Sequence, residues 1–188
     1  AKKAPAKKVE EENIPDLSKM DIRVGKIVDV VCNPNSDKLY NEKIDIGNGE
    51  IREIASGLQK FIPIEKVQGA MVVCILNLKA RKLADYNSHG MVLCAQPADN
   101  SVVEFLCPPE GSEPGDLVSF DGYERKPMEQ LPVTKGKKVN PWDNVCPCLV
   151  TDENLVGCYK EPETGKMLQF KTSKGICKAT TVKHGIIK

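Results

Sequence analysis

Apolar and polar residues alternate along the first half of the chain in the manner of β-strands. Ile22 to Val31 alternates well apart from Lys26, as a twisted barrel strand requires. Two further segments, Lys38 to Ile46 and Ile51 to Ala55, are separated by Gly47-Asn-Gly49, which is a hairpin signal. The pattern therefore predicts three consecutive strands. The first is expected to direct the following side chains to one side: Ile22, Val24, Val28 and Val30.

Two more strands are predicted by the strongly apolar runs Met71 to Leu76 and Met91 to Ala95. Between the third and fourth strands, Gln59 to Gln68 has the apolar spacing of a short helix, and Pro63 is tolerated in its first turn. Five strands with a helix between the third and the fourth is the order of an OB-fold, a small barrel that commonly binds nucleic acids. We therefore expect an all-β fold built on a five-stranded OB-fold barrel.

The rest of the chain continues as short apolar pieces separated by turns. These pieces predict further strands at 102–106, 117–120, 155–160, 167–170 and 176–181. We expect the barrel to occupy residues 14–120 and a β-rich extension to occupy residues 121–188. Residues 1–13 combine lysines and a proline without an apolar period, which predicts a disordered basic linker.

The net charge of +1 hides an uneven distribution. Residues 13–120 contain 11 lysine and arginine residues against 15 acids, whereas residues 121–188 contain 12 against 8. From Gly165 onward there are six lysines and no acid. Such a patch can attract a polyanion even on a nearly neutral molecule, because screening limits the reach of each charge to about 8–10 Å. A solvated lysine face, which is common, would have the same composition.

The fourth predicted strand is followed by Asn77 and then by three cations, Lys79, Arg81 and Lys82. Two buried strands joined by a cationic loop would hold these charges in fixed positions, which suits the phosphate backbone of a nucleic acid. The alternative interpretation is a hairpin whose loop is basic only for solubility.

Several motifs of the chain resemble one known family. They are Asp21-Ile-Arg-Val-Gly-Lys-Ile27, Ala55-Ser-Gly-Leu58, the segment 77–83, Ser88-His-Gly-Met91 and, in the extension, Pro114-Gly-Asp116, Trp142 and Gly175-Ile-Cys-Lys-Ala179. These motifs are similar to the tRNA-binding OB-fold family that includes endothelial monocyte-activating polypeptide II and domains appended to some methionyl-, tyrosyl- and lysyl-tRNA synthetases. Two positions differ from the usual pattern, because His89 stands where the family has glutamine and Ala80 where it has proline.

The resemblance implies a domain that binds tRNA by shape and backbone, and so delivers or retains tRNA for a linked or associated aminoacyl-tRNA synthetase. It also implies that the extension packs on the barrel as a pseudo-dimer partner, which makes the module a monomer. A cytoplasmic location fits the eight cysteines, which lack the spacing of a disulfide framework. No apolar run is long enough to cross a bilayer, so no membrane contact is expected.

The resemblance and the charges together predict an RNA-binding site. Phosphate contacts are expected from Lys79, Arg81 and Lys82. Contacts to ribose or base edges are expected from Asn77, Ser88 and His89, with Met91 as apolar support. Further candidates are Arg23, Lys26, Lys174 and Lys178.

Catalytic and metal-binding chemistry has little support in the sequence. His89 and His184 lie far apart, and neither is near a serine elbow or a metal signature. Cys146-Pro-Cys148 lacks the paired Cys-x-x-Cys spacing of a zinc site, so free thiols are expected there. We therefore predict no enzyme activity, no metal and no cofactor. The alternative function from another class is a protein-interaction or cytokine-like signalling module.

Overall fold

The computed structural model describes residues 14–133 and 140–188. Its first sheet is antiparallel and contains β1 (Ile22–Cys32), β2 (Tyr40–Asp45), β3 (Ile51–Ser56), β4 (Met71–Ile75) and β7 (Met91–Val92). The strands lie in the order β3–β2–β1–β4–β7. The backbone amide of His89 donates to the carbonyl of Glu53 at 2.8 Å, which brings the two edges of the sheet together into a nearly closed barrel. The predicted linker, residues 1–13, lies outside the described residues.

Strand β1 bends so that its two halves pair with different neighbours. Residues 22–26 pair with β4, residues 26–32 pair with β2, and the register with β2 shifts at Val28. Ile27 and Val30 are both buried in the barrel core, although residues three apart lie on opposite faces of a regular strand. The bulge at Val28 adds one residue and so brings both side chains inward, while Val28 itself is 39% exposed. The prediction that Ile22, Val24, Val28 and Val30 share one buried face is therefore wrong, since Ile22 packs in a different core cluster from Val30.

The second sheet contains β8 (Cys94–Gln96), β9 (Glu104–Phe105), β10 (Leu149–Thr151), β11 (Gly157–Lys160), β12 (Met167–Gln169) and β15 (Ile186–Ile187). Their order is β12–β11–β10–β15–β8–β9, so strands from both sides of residue 120 share one sheet. Two short strands, β13 (Lys171–Thr172) and β14 (Gly175–Ile176), form a separate hairpin.

The barrel and the extension also share a hydrophobic core. Buried side chains from both parts meet in it, including Leu17, Ile22, Leu93, Leu149 and Phe170. The helix Pro141–Val145 packs on this core through Val145, and it begins at Asn140, whose side chain accepts a hydrogen bond from the amide of Asp143 at 2.9 Å. The extension is thus fixed to the barrel. That it packs there as a pseudo-dimer partner, in the place of a second subunit, stays a prediction.

The all-β class and the five-stranded barrel are confirmed. The helix predicted over Gln59 to Gln68 is limited to Ile64–Val67, because it begins only after Pro63. The segment 117–120 makes isolated bridges instead of a regular strand. The sequence did not indicate β10 or β15, because two or three residues are too few for an alternating pattern to be recognised. No helix in the described part of the chain is long and apolar enough to cross a membrane.

Candidate nucleic-acid interface

The segment between β4 and β7 is a β-hairpin, where the sequence predicted a loop. β5 (Arg81–Leu83) pairs with β6 (Tyr86–Ser88), and Ala84 and Asp85 form the two-residue turn between them. Both turn residues have left-handed backbones, with φ of 45° and 65°. A two-residue turn of this kind matches the twist of the paired strands and so fixes their register. Segment 77–90, which contains β5 and β6, is called the cationic hairpin below.

The tip of the cationic hairpin is held by the loop that follows β1. The buried Asn33 side chain donates through Nδ2 to the carbonyl of Ala84 at 3.2 Å and to Oδ1 of Asn41 at 2.9 Å. Next to it, Nδ2 of Asn35 donates to Oδ2 of Asp85 at 3.2 Å. Because the left-handed conformation of a non-glycine residue such as Ala84 is unfavourable, these contacts stabilise a turn that would otherwise relax.

At its base, the cationic hairpin is fixed by Asn77. This residue is buried, with only 3% of its surface exposed. Its Oδ1 accepts from the amide of Asp21 at 3.0 Å, and its Nδ2 donates to the carbonyls of Lys19 at 2.8 Å and Met128 at 2.9 Å. Every polar atom of this side chain therefore has a partner within the domain. The expected contact between Asn77 and RNA is corrected to a structural role.

Ser88 is also buried, and it links the hairpin to the barrel. Its hydroxyl accepts from the amide of Ala55 at 3.0 Å and donates to the carbonyl of Gly90 at 3.1 Å. Because this hydroxyl already accepts and donates within the domain and the residue is only 4% exposed, Ser88 is likewise corrected to a structural role.

The three cations of the hairpin lie on its surface, as expected. Lys79, Arg81 and Lys82 are exposed. Lys82 lies 3.8 Å from Asp85, and both side chains are well exposed, so that pair is weak. Among the described residues, neither Lys79 nor Arg81 forms an ion pair with an acid. These two positive charges are therefore available to a ligand.

Lys79 and Arg81 border a cleft of about 650 Å³ between the cationic hairpin, the barrel and the extension, called the junction cleft below. Met91 also lines it, from β7. Two residues that the sequence did not assign to the site complete the cleft from the extension, Trp142 and Lys188. They lie more than fifty residues from the hairpin in the sequence, and only the fold brings them to it.

His89 faces another cleft, of about 610 Å³, on the other side of the hairpin. It is exposed there beside Arg52 and Glu53. The guanidinium of Arg52 donates to the carbonyls of Leu76 and His89 and forms an ion pair with Glu50 at 2.8 Å. His89 is thus accessible, but it does not belong to the group formed by Lys79, Arg81 and Met91.

The remaining candidates lie away from the junction cleft. Arg23 binds the carboxylate of Asp21 through Nε at 2.8 Å and a second nitrogen at 2.9 Å, and Arg125 of the extension binds the same carboxylate at 2.7 Å. Burial raises the pKa of Asp21, but the hydrogen bonds from the two arginines outweigh it and hold that pKa below its usual value. Lys26 and Lys178 are exposed.

Lys174 is not free for RNA in this conformation. Its Nζ lies 2.7 Å from Oδ2 of Asp116 and 3.7 Å from Oε2 of Glu113. Its neighbour Lys171 lies 2.7 Å from Oδ2 of Asp121. Residues 165–188 are called the lysine-rich tail below. Part of this tail is neutralised by acids that precede it in the sequence, which its composition alone did not reveal.

Glu42 is an ionisable side chain in a largely apolar barrel interior, and it is fully buried there. Oε1 accepts from the hydroxyl of Ser56 at 2.5 Å, and Oε2 has no partner. Burial raises the pKa of Glu42 to about 7, although the hydrogen bond from Ser56 opposes that rise. Since this folded pKa exceeds the usual one, the stability contributed by Glu42 falls as pH rises from about 4 through 7.

The described residues include no cluster of three or more histidine, cysteine or acidic side chains suited to a metal ion. Cys146 and Cys148 are both partly buried free thiols. Burial raises the pKa of Cys146, which makes its thiolate scarce at neutral pH.

A family model described as "Putative tRNA binding domain" matches residues 22–117, which include all five barrel strands and the cationic hairpin. The chain belongs to this tRNA-binding domain family. The solved C-terminal domain of Plasmodium vivax p43 has the same fold over almost the whole chain. It has a TM-score of 0.81 at 30% identity and covers 93% of this chain and 100% of that one.

Two curated relatives extend the match beyond the barrel. Methionine–tRNA ligase, cytoplasmic, of Arabidopsis thaliana is 43% identical over 172 residues, which cover 92% of this chain. The aminoacyl tRNA synthase complex-interacting multifunctional protein 1 of Cricetulus griseus is 38% identical over 173 residues, again 92% of this chain. The matched region amounts to 20% of the ligase and 45% of the second protein, so this chain spans less than half of either relative.

Proposed function

We propose that this domain binds tRNA without reading its sequence and holds it for an aminoacyl-tRNA synthetase. The observation that carries the proposal is the exposure of Lys79 and Arg81 on a rigid hairpin, with no acid paired to either among the described residues. Cations in fixed positions bind phosphates and release counterions, which gives affinity without base recognition. Lys82, Lys26 and Lys178 are proposed as additional phosphate contacts, and His89 as a polar contact on the neighbouring surface.

The synthetase is either linked to the domain in the same protein or associated with it as a separate chain. The names of the relatives support both arrangements, since one is a tRNA ligase and the other interacts with a synthase complex. In either case the domain performs no chemical step; it raises the local concentration of tRNA near a catalytic partner. We place the module in the cytoplasm, in agreement with the name of the Arabidopsis relative, and expect it to be a monomer.

The test is a titration of total tRNA at two salt concentrations on two double variants with equal loss of charge. Lys79→Ala/Arg81→Ala removes the hairpin cations, whereas Lys171→Ala/Lys174→Ala removes lysines that are paired with acids. The hairpin variant is expected to lose at least about tenfold in affinity, and its salt slope is expected to fall by about one for each lost phosphate contact. The tail variant is expected to stay within about twofold of wild type.

Equal losses in both variants would mean that only net charge matters, and the hairpin would not be the site. Absence of tRNA binding by the wild-type domain at low salt would overturn the proposed function itself.

A further inference from the structure

The junction cleft has a composition that phosphate binding alone does not explain. Lys79 and Arg81 lie at one side and Lys188 at another, but Leu58, Met91 and Val92 make much of the lining apolar. Leu58 and Val92 are buried, so these apolar groups belong to the barrel wall. A ligand with only negative charge would meet the cations and leave the apolar part of the cleft without a partner.

Trp142 supplies an aromatic wall to this cleft. It is partly buried and packs on the core shared by the barrel and the extension, while it also lines the cleft. Its position is fixed by the helix Pro141–Val145, which the N-cap Asn140 and buried Val145 hold in place. An aromatic ring fixed in this way is a suitable platform for a flat ring of a ligand.

Two amide side chains lie in the same cleft and can form hydrogen bonds to the edge of a base without selecting one base, because an amide offers both a donor and an acceptor. Nε2 of Gln96 donates to Oδ1 of Asn100 at 2.9 Å, and both residues line the cleft. This contact leaves the Gln96 oxygen and the Asn100 nitrogen for an acceptor-and-donor pattern of the kind that nucleobases carry. The volume of about 650 Å³ falls within the range of roughly 300–1,000 Å³ that is usual for small-ligand sites.

We infer that the junction cleft binds one unstacked nucleobase of the bound RNA, while Lys79 and Arg81 hold the phosphates next to that base. Trp142 stacks on the base, and Lys188 adds a cation from the extension. The inference rests on the proposed function and deepens it, because it makes the extension a part of the RNA site in addition to a part of the fold. Recognition of unpaired bases on aromatic rings is a general way to bind single-stranded RNA segments.

Trp142 is the one tryptophan of the chain, so its fluorescence reports on this cleft directly. The wild-type domain is titrated with total tRNA, with a short oligoadenylate and with an abasic ribose-phosphate oligomer of equal length. Binding is followed separately through the anisotropy of a dye on each ligand. The tRNA and the oligoadenylate are expected to quench Trp142, whereas the abasic oligomer is expected to bind more weakly and without quenching.

Two variants separate the base from the phosphates. Trp142→Ala is expected to lower the affinity for oligoadenylate by about five- to a hundredfold, the usual effect of one lost stacked base, and to leave the abasic oligomer unaffected. Gly57→Phe adds a bulky ring to the lining of the cleft and leaves Trp142 itself unchanged. A Cβ at Gly57 has no neighbour within 4 Å and its backbone is not left-handed, so this variant is expected to fold and to show the same selective loss. Lys79→Ala/Arg81→Ala should weaken both oligomers.

Saturating tRNA binding with unchanged Trp142 fluorescence would overturn the inference and leave the proposed function intact. Equal quenching by the abasic oligomer would also overturn it, because the cleft would then sense the backbone alone. A fluorescence change that depends on protein concentration without RNA would show that a second copy fills the cleft, again against the inference. Failure of every RNA to bind would instead overturn the proposed function, and the inference with it.

Discussion

The cationic hairpin and the lysine-rich tail contain similar charges but present them differently. On the hairpin, Lys79 and Arg81 are exposed, and neither is paired with an acid among the described residues. On the tail, Lys171 and Lys174 lie 2.7 Å from the carboxylates of Asp121 and Asp116. The number of lysines in a segment therefore does not measure its ability to bind a polyanion, because acids that are distant in the sequence can neutralise them.

The two regions resemble each other in how they are anchored. In each case a single side chain satisfies several backbone groups. Asn77, at the base of the hairpin, binds backbone groups of residues 19, 21 and 128, and Glu104, on β9, binds those of the tail. Oε1 of Glu104 accepts from the amides of residues 180, 181 and 182 at 2.6–2.9 Å, and its Oε2 accepts from the hydroxyl of Thr181 at 2.8 Å. The comparison can thus be tested at the anchors and at the charges independently.

The largest effect is expected from breaking the anchor of the hairpin. Asn77→Ala leaves the amide of Asp21 and the carbonyls of Lys19 and Met128 without their partners in a buried site, so the free energy of unfolding should fall by about 2–4 kcal/mol. Urea denaturation measures this free energy. The control is Asn87→Ala, a change at an exposed position of the same hairpin, whose free energy of unfolding should stay within about 0.5 kcal/mol of wild type.

The folded fraction of Asn77→Ala should bind tRNA within about twofold of wild type, because Asn33 and Asn35 still hold the tip of the hairpin and keep its cations in place. A stable variant that has lost tRNA affinity would restore Asn77 as a direct contact.

The corresponding change in the tail should have a smaller effect. Glu104→Gln replaces one acceptor oxygen by an NH₂ group, so part of the hydrogen bonding to residues 180–182 is lost, at a cost of about 1–2 kcal/mol. Hydrogen exchange of the amides of 180–182 should accelerate, while the hairpin amides keep their protection. The exposed Glu110→Gln is the control, and equal acceleration in that variant would contradict the anchoring role of Glu104.

Adding an acid to the hairpin should make it behave like the tail. Asn87 lies opposite Lys82 on the paired strand and is exposed, so Asn87→Glu places a carboxylate among the cations. The affinity for tRNA should fall by about tenfold, equivalent to about 1.4 kcal/mol. Ser173→Glu, an exposed position in the tail, adds the same charge and should change the affinity by about twofold or less. A larger loss from Ser173→Glu would mean that the tail lies closer to the RNA than the hairpin.

The smallest effect concerns the pH dependence of the tail. The pKa of Asp116 is lowered chiefly by the hydrogen bond from Lys174, with help from the amide of Glu113. Because its folded pKa is below the unfolded value of about 3.9, the pair stabilises the fold above that pH, and this stability is lost as pH falls through the folded pKa. The pair is partly exposed, so solvent screens it and its contribution to stability is small.

An NMR titration of the Asp116 carboxyl group measures this directly. Lys174→Ala should raise its pKa toward the unfolded value, although the backbone hydrogen bond from Glu113 keeps part of the shift. An unchanged pKa in Lys174→Ala would contradict the pairing.

Much of the barrel could be predicted from the sequence, because its strands are long enough to reveal alternation. The same pattern failed locally at the bulge near Val28, which adds one residue and brings Val30 to the same face as Ile27. It also failed for β10 and β15, whose two or three residues take their strand geometry from their neighbours in the sheet.

The candidate site was predicted only in part, and for a related reason. Exposed cations such as Lys79 and Arg81 can be recognised from composition, since charged side chains are seldom buried. The burial of Asn77 and Ser88 depends on partners that are far away in the sequence, such as Met128, and polar residues carry no local mark of it. Trp142 reaches the cleft only through the packing of the extension, so the sequence identified the residue and gave it no role.

The position of β15 between β8 and β10 has a consequence for how the domain is made. On the ribosome, β8 emerges about 90 residues before β15, the strand that joins it to the rest of the second sheet. Until then the edge of β8 that β15 will cover is unpaired, and such edges recruit strands from other chains. Completion of the sheet is therefore a late, long-range step, and nascent chains that stop before Ile186 are the forms most in need of a chaperone.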